Sequence, residues 1–219
     1  MEQQPDIASI AEEVARSVKS RLSSRDLTSH NLIPVGVSGR HMHLTREVLD
    51  ALFGKGYQLQ ELRKLSQPGE FAARETVTLV GPGGRAIEKA RILGPLRNFT
   101  QIELARSDGL RLGVDLPVRK SGDVAGSPGL TVVGPRGTAV LKEGAIRATR
   151  HIHMTPQDAE RFGVRDGQMV RARIPGERGL TLDNVLVRVS DGFLLDFHLD
   201  TDDANAAGVG TGCYAEILP

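Results

Sequence analysis

The sequence has no tryptophan and a single cysteine, Cys213, in 219 residues. One thiol excludes an intrachain disulfide and a Cys-rich metal cluster, and it points to a reducing, intracellular setting. Aromatic residues make up 4%, too few for a base-stacking platform. Neither sign of charge is in excess. Lys+Arg number 28 and Asp+Glu 27, a formal net charge of +1, so nothing in bulk electrostatics argues for nucleic acid or an anionic membrane as partner. No apolar run approaches the roughly 20 residues that a membrane helix needs. The N-terminus lacks the continuous apolar core of a secretion signal. What is present is 39% apolar and 25% charged residues, the balance of a globular chain with a core to bury. The 25 glycines and 11 prolines point to many tight turns and many short strands.

Residues 5–22 stand apart. Ile7, Ile10, Val14, Val18 and Leu22 recur at steps of three and four, with charged residues between them, which predicts an amphipathic helix. Such a helix is either an arm packed on the body or a second subunit, or a detachable segment that docks on a partner protein. The polar run from Ser23 to Asn31 reads as a linker. From Leu32 onward the pattern becomes strands at 32–37, 75–80, 86–93, 99–105, 130–133, 138–141, 170–174 and 185–189. A short helix is expected over 45–53 with Thr45 as N-cap, another over 156–162, and a helical turn near 204–207. The small-residue stretch 121–129 reads as a loop with freedom to move.

The chain repeats itself. Arg40-His41-Met42-His43-Leu44-Thr45 and Arg150-His151-Ile152-His153-Met154-Thr155 are each followed by a short helix and a glycine. Two copies of one small unit predict duplication. The fold expected is mainly β: two small β-barrel domains capped by short helices, behind an N-terminal extension. The expected boundaries are 1–30, 31–147 and 148–219, with the strand at 32–37 able to cross between the two barrels.

On a strand, His-x-His places both imidazoles on one face with Cα atoms about 7 Å apart, near enough to share one cation. Nitrogen-rich ligation suits zinc or a similar borderline metal, and four or five histidines exceed what one catalytic zinc uses, so two ions, or one ion plus spare groups, are expected. His198 lies in an alternating strand, flanked by Asp196 and Asp200, and reads equally as a core histidine or a ligand. Glu103 shares a strand face with Gln101, and by spacing alone it is a solvated carboxylate. Arg91 and Arg97 bracket Ile92 to Leu96; a guanidinium fork suits phosphate, but by position alone each reads as a solvated surface charge. Val37, Ser38 and Gly39 leave room for a ligand to approach the backbone.

These residues carry a resemblance. Residues 35–45, residues 93–103 and residues 150–155 resemble the motifs of the PduL-type phosphotransacylases, the phosphate propanoyltransferases of bacterial microcompartments. Thr201 to Ala206 is similar to the stretch that follows that family's last zinc histidine. The resemblance implies two β-barrel domains, two zinc ions per chain, a homodimer or higher homo-oligomer, and interconversion of acyl-CoA plus phosphate with acyl phosphate plus CoA. It implies that His41, His43 and Glu103 hold one ion and His151, His153 and His198 the other. Arg97 would bind phosphate, and Val37, Ser38, Gly39, Arg91 and Asn205 would contact CoA. Residues 5–22 resemble an encapsulation peptide, which implies microcompartment shell or core proteins as partners and a place inside a microcompartment in the bacterial cytoplasm. Neither nucleic acid nor a membrane is an expected partner.

Two other readings fit parts of the pattern. His41-x-His43 followed by Glu47 and Gly54 resembles the first cupin motif, although Glu47 falls in a stretch that reads helical. Alternatively, both histidine pairs serve as structural zinc sites in a non-enzymatic microcompartment-associated protein.

Overall fold

A computed structural model describes residues 32–218. The expected helix over residues 5–22 and the linker after it lie outside the described residues. In chain order the elements are β1 (Leu32–Ser38), β2 (His41–His43), α1 (Arg46–Phe53), β3 (Glu61–Lys64), β4 (Phe71–Val80), β5 (Ala86–Gly94), β6 (Gln101–Glu103), α2 (Arg106–Leu112), β7 (Val118–Arg119), β8 (Thr131–Val133), β9 (Thr138–Val140), β10 (Ala145–Ala148), β11 (His151–Met154), α3 (Pro156–Phe162), β12 (Met169–Ile174), β13 (Leu180–Val189), β14 (Asp196–Asp200), α4 (Thr201–Ala207) and β15 (Tyr214–Leu218). The class is mainly β with short helical caps, as the turn-rich composition implies.

One sheet closes into a six-stranded barrel in the order β1-β14-β11-β13-β12-β15. The backbone of Val35 completes the ring by exchanging hydrogen bonds with Cys213 O and Gly212 N, at 2.8 and 3.0 Å. The other is a nine-stranded sheet, β7-β10-β6-β2-β5-β4-β8-β9, with β3 paired to β4 beside that path.

The two sheets trade a strand. β1 leads into β2 through only Gly39 and Arg40, yet β1 pairs in parallel with β14 of the barrel (Val35 opposite Phe197, Val37 opposite Leu199). β10 leads into β11 through only Thr149 and Arg150, yet it pairs in parallel with β6 of the nine-stranded sheet. The cores follow the exchange. Ile33 and Val35 are buried with Ile152, Met154, Val187 and Phe197 of the barrel, whereas Ala145 is buried with Met42, Leu79, Ile92 and Ile102. Each large apolar side chain so buried contributes about 1.5–3 kcal/mol, so neither half completes its core without a strand from the other.

The helices show the same duplication. α1 and α3 follow the two histidine strands, and Thr45 and Thr155 cap them by accepting from Val48 N and Asp158 N. After β6 and β14 come α2 and α4. Arg40, ahead of the first histidine pair, ion-pairs with Asp108 on α2 at 2.9 Å. Arg150, ahead of the second, clamps Asp203 on α4 through two bonds of 2.6 and 2.7 Å.

The sequence reading does not predict α2, and the reason is physical. Its N-cap, Ala105, makes no side-chain cap, and Gly109 lies mid-helix, where a Cβ would meet Leu116 Cδ1 at 2.8 Å and Val114 O at 3.0 Å. The cap comes from elsewhere: Asp202 on α4 accepts from Ser107 N at 2.9 Å and Ser107 Oγ at 2.6 Å. A carboxylate there satisfies an orphan donor and complements the helix dipole. Replacing Asp202 with alanine removes a cap worth about 1 kcal/mol and is expected to lower the melting temperature by roughly 2–4 °C in a chain of this size. A variant that melts with the parent would show that α2 does not depend on this contact.

Candidate active site

His41 and His43 project from β2, and antiparallel pairing places Glu103 of β6 directly opposite His41 and Gln101 opposite His43. The barrel repeats the arrangement. His151 and His153 project from β11, and β14 places His198 opposite His151 and Asp196 opposite His153. Glu103 and His198 are therefore equivalent positions in the duplicated unit. In each triad the potential ligand atoms lie within 4.8 Å of one another. In the barrel triad the ring centroids stand 4.7 Å (His151–His153), 4.9 Å (His151–His198) and 4.9 Å (His153–His198) apart. In the other, His41 Nε2 lies 3.5 Å and His43 Nε2 4.0 Å from Glu103 carboxylate oxygens.

The surroundings fit a cation in each triad. His41 Nδ1 and His151 Nδ1 lie 2.8 and 2.7 Å from the carbonyls of Gly39 and Thr149. Donation to those carbonyls fixes the tautomer and leaves each Nε2 with a free lone pair. His43 Nδ1 and His153 Nδ1 are buried with no hydrogen-bond partner among the described residues. An unsatisfied buried nitrogen costs about 1–3 kcal/mol, and the same vacancy recurs at equivalent positions of both triads. Burial, then neighbouring cations, pushes His43 down to about 3, His151 to about 4 and His153 to about 2. These imidazoles are neutral at pH 7, the form that binds metal. Burial also opposes charge on His41 and Glu103, but their mutual attraction wins. It raises the imidazole above its ordinary range and holds the carboxyl below its own.

Supporting side chains orient both triads. Gln101, fully buried, donates to Glu103 Oε1 at 2.6 Å and Ser121 Oγ at 3.0 Å, while its carbonyl accepts from Gly122 N at 2.7 Å. That ties the expected loop 121–129 to the site. Asp196 Oδ2 accepts from Ser66 Oγ and lies 3.0 Å from His198 Nε2. A Cβ at Gly36 would stand 3.0 Å from that carboxylate, a tight contact that a larger residue would relieve only by displacing it. Gln67 bonds both the carbonyl and the amide of Leu194, at 3.0 and 3.1 Å, which straps the β3–β4 connection across the barrel mouth.

Both triads line one cleft of about 1020 Å³, together with Val37, Ser38, Gly39, Arg91 and Arg97. Arg97 bonds Glu70 Oε1 at 2.9 Å and Ser121 Oγ at 3.2 Å. Arg91 stands opposite His41 across the sheet and donates to the carbonyls of Ala73 and Arg74. Asn205 lies on the exposed side of α4 and is not among the cleft-lining residues. Glu47 occupies the first turn of α1, exposed and apart from the triad, which removes the basis of the cupin reading. The sequence reading passes over Gln101 as a functional group, and over Ser66, Glu70, Arg188 and Phe193. Only the alternation of Gln101 with Glu103 signals any of them.

Two triads of potential metal ligands and a guanidinium thus share one cleft, an arrangement that could hold cations beside an anionic substrate. Residues 34–210 match the family model described as phosphate propanoyltransferase. The chain is 55% identical over 187 residues to a phosphate propanoyltransferase of Thermotoga maritima, covering 85% of this chain and 89% of that protein. It is 50% identical over 206 residues to one of Priestia megaterium, covering 94% and 92%, and 45% identical over 209 residues to one of Clostridioides difficile, covering 95% of each. The chain belongs to the phosphate propanoyltransferase family, a family of acyltransferases.

The buried neutral imidazoles make stability depend on pH. Unfolded, His43, His151 and His153 take up protons near the ordinary value of 6.5; folded, only near about 3, 4 and 2. Between those limits the unfolded chain holds more protons, so stability falls as pH drops below 6.5. His41, raised by Glu103, works in the opposite direction, one group against three. Metal-free protein is expected to melt at a lower temperature at pH 5 than at pH 7. A rise, or no change, would contradict neutral burial.

Proposed function

We propose that the protein interconverts acyl-CoA plus phosphate with acyl phosphate plus CoA, with a propanoyl or acetyl group as the acyl chain. His41, His43 and Glu103 would hold one zinc ion, and His151, His153 and His198 a second. The observation that carries this reading is the convergence of both triads and Arg97 on one cleft. When bound, such cations supply Lewis acidity toward oxygen and a soft partner for a departing thiolate.

The chain's own groups do the rest. Arg97, held by Glu70 and Ser121, presents a planar fork that binds phosphate bidentately. Held beside the thioester, phosphate attacks its carbonyl carbon through its own oxygen. The carbon–sulfur bond breaks, and the proton that hydrogen phosphate gives up on becoming acyl phosphate passes to the thiolate, which leaves as CoA. Holding both reactants in one cleft supplies the proximity effect, so transfer is direct within a ternary complex. No side-chain nucleophile is needed. Burial raises Cys213, and it does not line the cleft, so it is a poor acyl acceptor. Val37, Ser38, Gly39 and Arg91 line the path for CoA. Around Gly39 there is open space, so a ligand can approach it. Nothing in its placement supports a CoA contact from Asn205. The family resemblance extends the proposal to a homodimer or higher homo-oligomer and to residues 5–22 as a microcompartment address. No described helix is long and apolar enough to cross a membrane.

His41→Ala and Arg97→Ala are each expected to abolish phosphate-dependent CoA release from propanoyl-CoA and acetyl-CoA. Elemental analysis should show metal lost from the first variant and kept by the second. Full activity after chelation and dialysis would refute the metal role. Free acid released without phosphate would make the protein a hydrolase instead.

A further inference from the structure

We propose that Arg188 is a second arm of the anion site and grips, with Arg97, the phosphate dianion and the phosphoryl end of acyl phosphate. This rests on the phosphotransacylase reading above. β13 runs parallel to β11 with Arg188 opposite His153, so the guanidinium stands on the triad's face of the barrel. Its NH1 lies 3.2 Å from His153 Nε2. Its carbon lies 5.4 Å from the centroid of Phe193, whose ring packs in turn on His153 at 4.2 Å. It lines the cleft with Arg97.

No carboxylate lies within ion-pair distance of Arg188 among the described residues; the ion pair in this part of the cleft joins Arg97 to Glu70. Asp166, Glu103 and Glu70 act on Arg188 only at longer range, while burial first and then Arg97 weaken its hold on its proton. A half-buried guanidinium without a counter-ion is costly. Here it also faces a like charge from the other half of the chain. An anion of charge two between the guanidiniums removes both penalties. The place beside His153 puts that anion at the reacting end of the cleft. The phosphates of CoA offer the same chemistry, and kinetics separates the two sources.

The test compares Arg188→Met, which keeps packing against Phe193 and loses charge, with Arg188→Lys in the metal-loaded protein. KM for phosphate and for acyl phosphate should rise at least about tenfold in the methionine variant and less in the lysine variant. KM for CoA and acyl-CoA should stay within about twofold, with metal content and melting temperature unchanged. In a double cycle with Arg97→Lys, the losses should fall short of additivity, as for two groups on one ligand. The proposal is overturned if KM for phosphate stays within about twofold, if KM for CoA rises instead, or if metal is lost. Unmodified protein that releases no CoA with phosphate would defeat the underlying reading alone. Calorimetry of phosphate with parent and Arg188→Met still decides the clamp: weaker binding by the variant upholds it and equal binding overturns it.

Discussion

The reciprocal exchange of β1 and β10 is the constraint on which the rest depends. Each strand sits in the sheet of the opposite half and passes within two residues into a histidine strand of its own half. With two residues between them, the strand ends are three steps apart and at most about 11 Å from one another. The start of β2 is therefore tied to the barrel, and the start of β11 to the nine-stranded sheet. No hinge or long loop intervenes, so the triads are brought to one cleft by the backbone itself. The helices reinforce the crossing. Arg40 and Arg150 lie in the two links and ion-pair with α2 and α4, and Asp202 joins those helices at their N-termini. Geometry carried by strands and ion pairs is stiffer than geometry carried by loops.

How much of this is legible in the sequence depends on whether a residue's neighbours are local. His-x-His is legible because strand period two puts both rings on one face, and its second copy removes the ambiguity of the first. Thr45 and Thr155 are legible because their caps are closed within three residues. Glu103 is not legible by spacing. Its role comes from standing opposite His41 across a sheet pairing 62 positions away, and only the family resemblance singles it out. α2 is hidden for the same reason: its cap comes from Asp202, 95 residues on. Nothing in the sequence singles out Arg188, and only the pairing of β13 with β11 places it opposite His153. β10 and β15 are short and partly polar, and they become strands because the sheets supply partners. The strand expected over 99–105 shortens to Gln101–Glu103 because Arg106 begins a helix.

The two triads share one arrangement, and one position makes them unequal. Glu103 brings a carboxylate within 3.5 Å of His41. Its equivalent, His198, brings an imidazole ring, and the nearest carboxylate, Asp196, lies 3.0 Å from its Nε2. A dication in the first triad meets its compensating charge directly, whereas one in the second meets imidazole alone, with the carboxylate one ring further away. Charge compensation falls with distance and with intervening polarisable groups, so the barrel triad leaves more positive potential facing the cleft. Arg188 adds to that potential from the barrel side and Arg97 from the other. In the proposed reading, an anion would meet its strongest field between the guanidiniums and next to the all-histidine triad, and a cation in the carboxylate-bearing triad would be the less electrophilic neighbour. The two triads thus present different electrostatic environments on one cleft, and that difference follows from a single residue in the strand opposite each histidine pair.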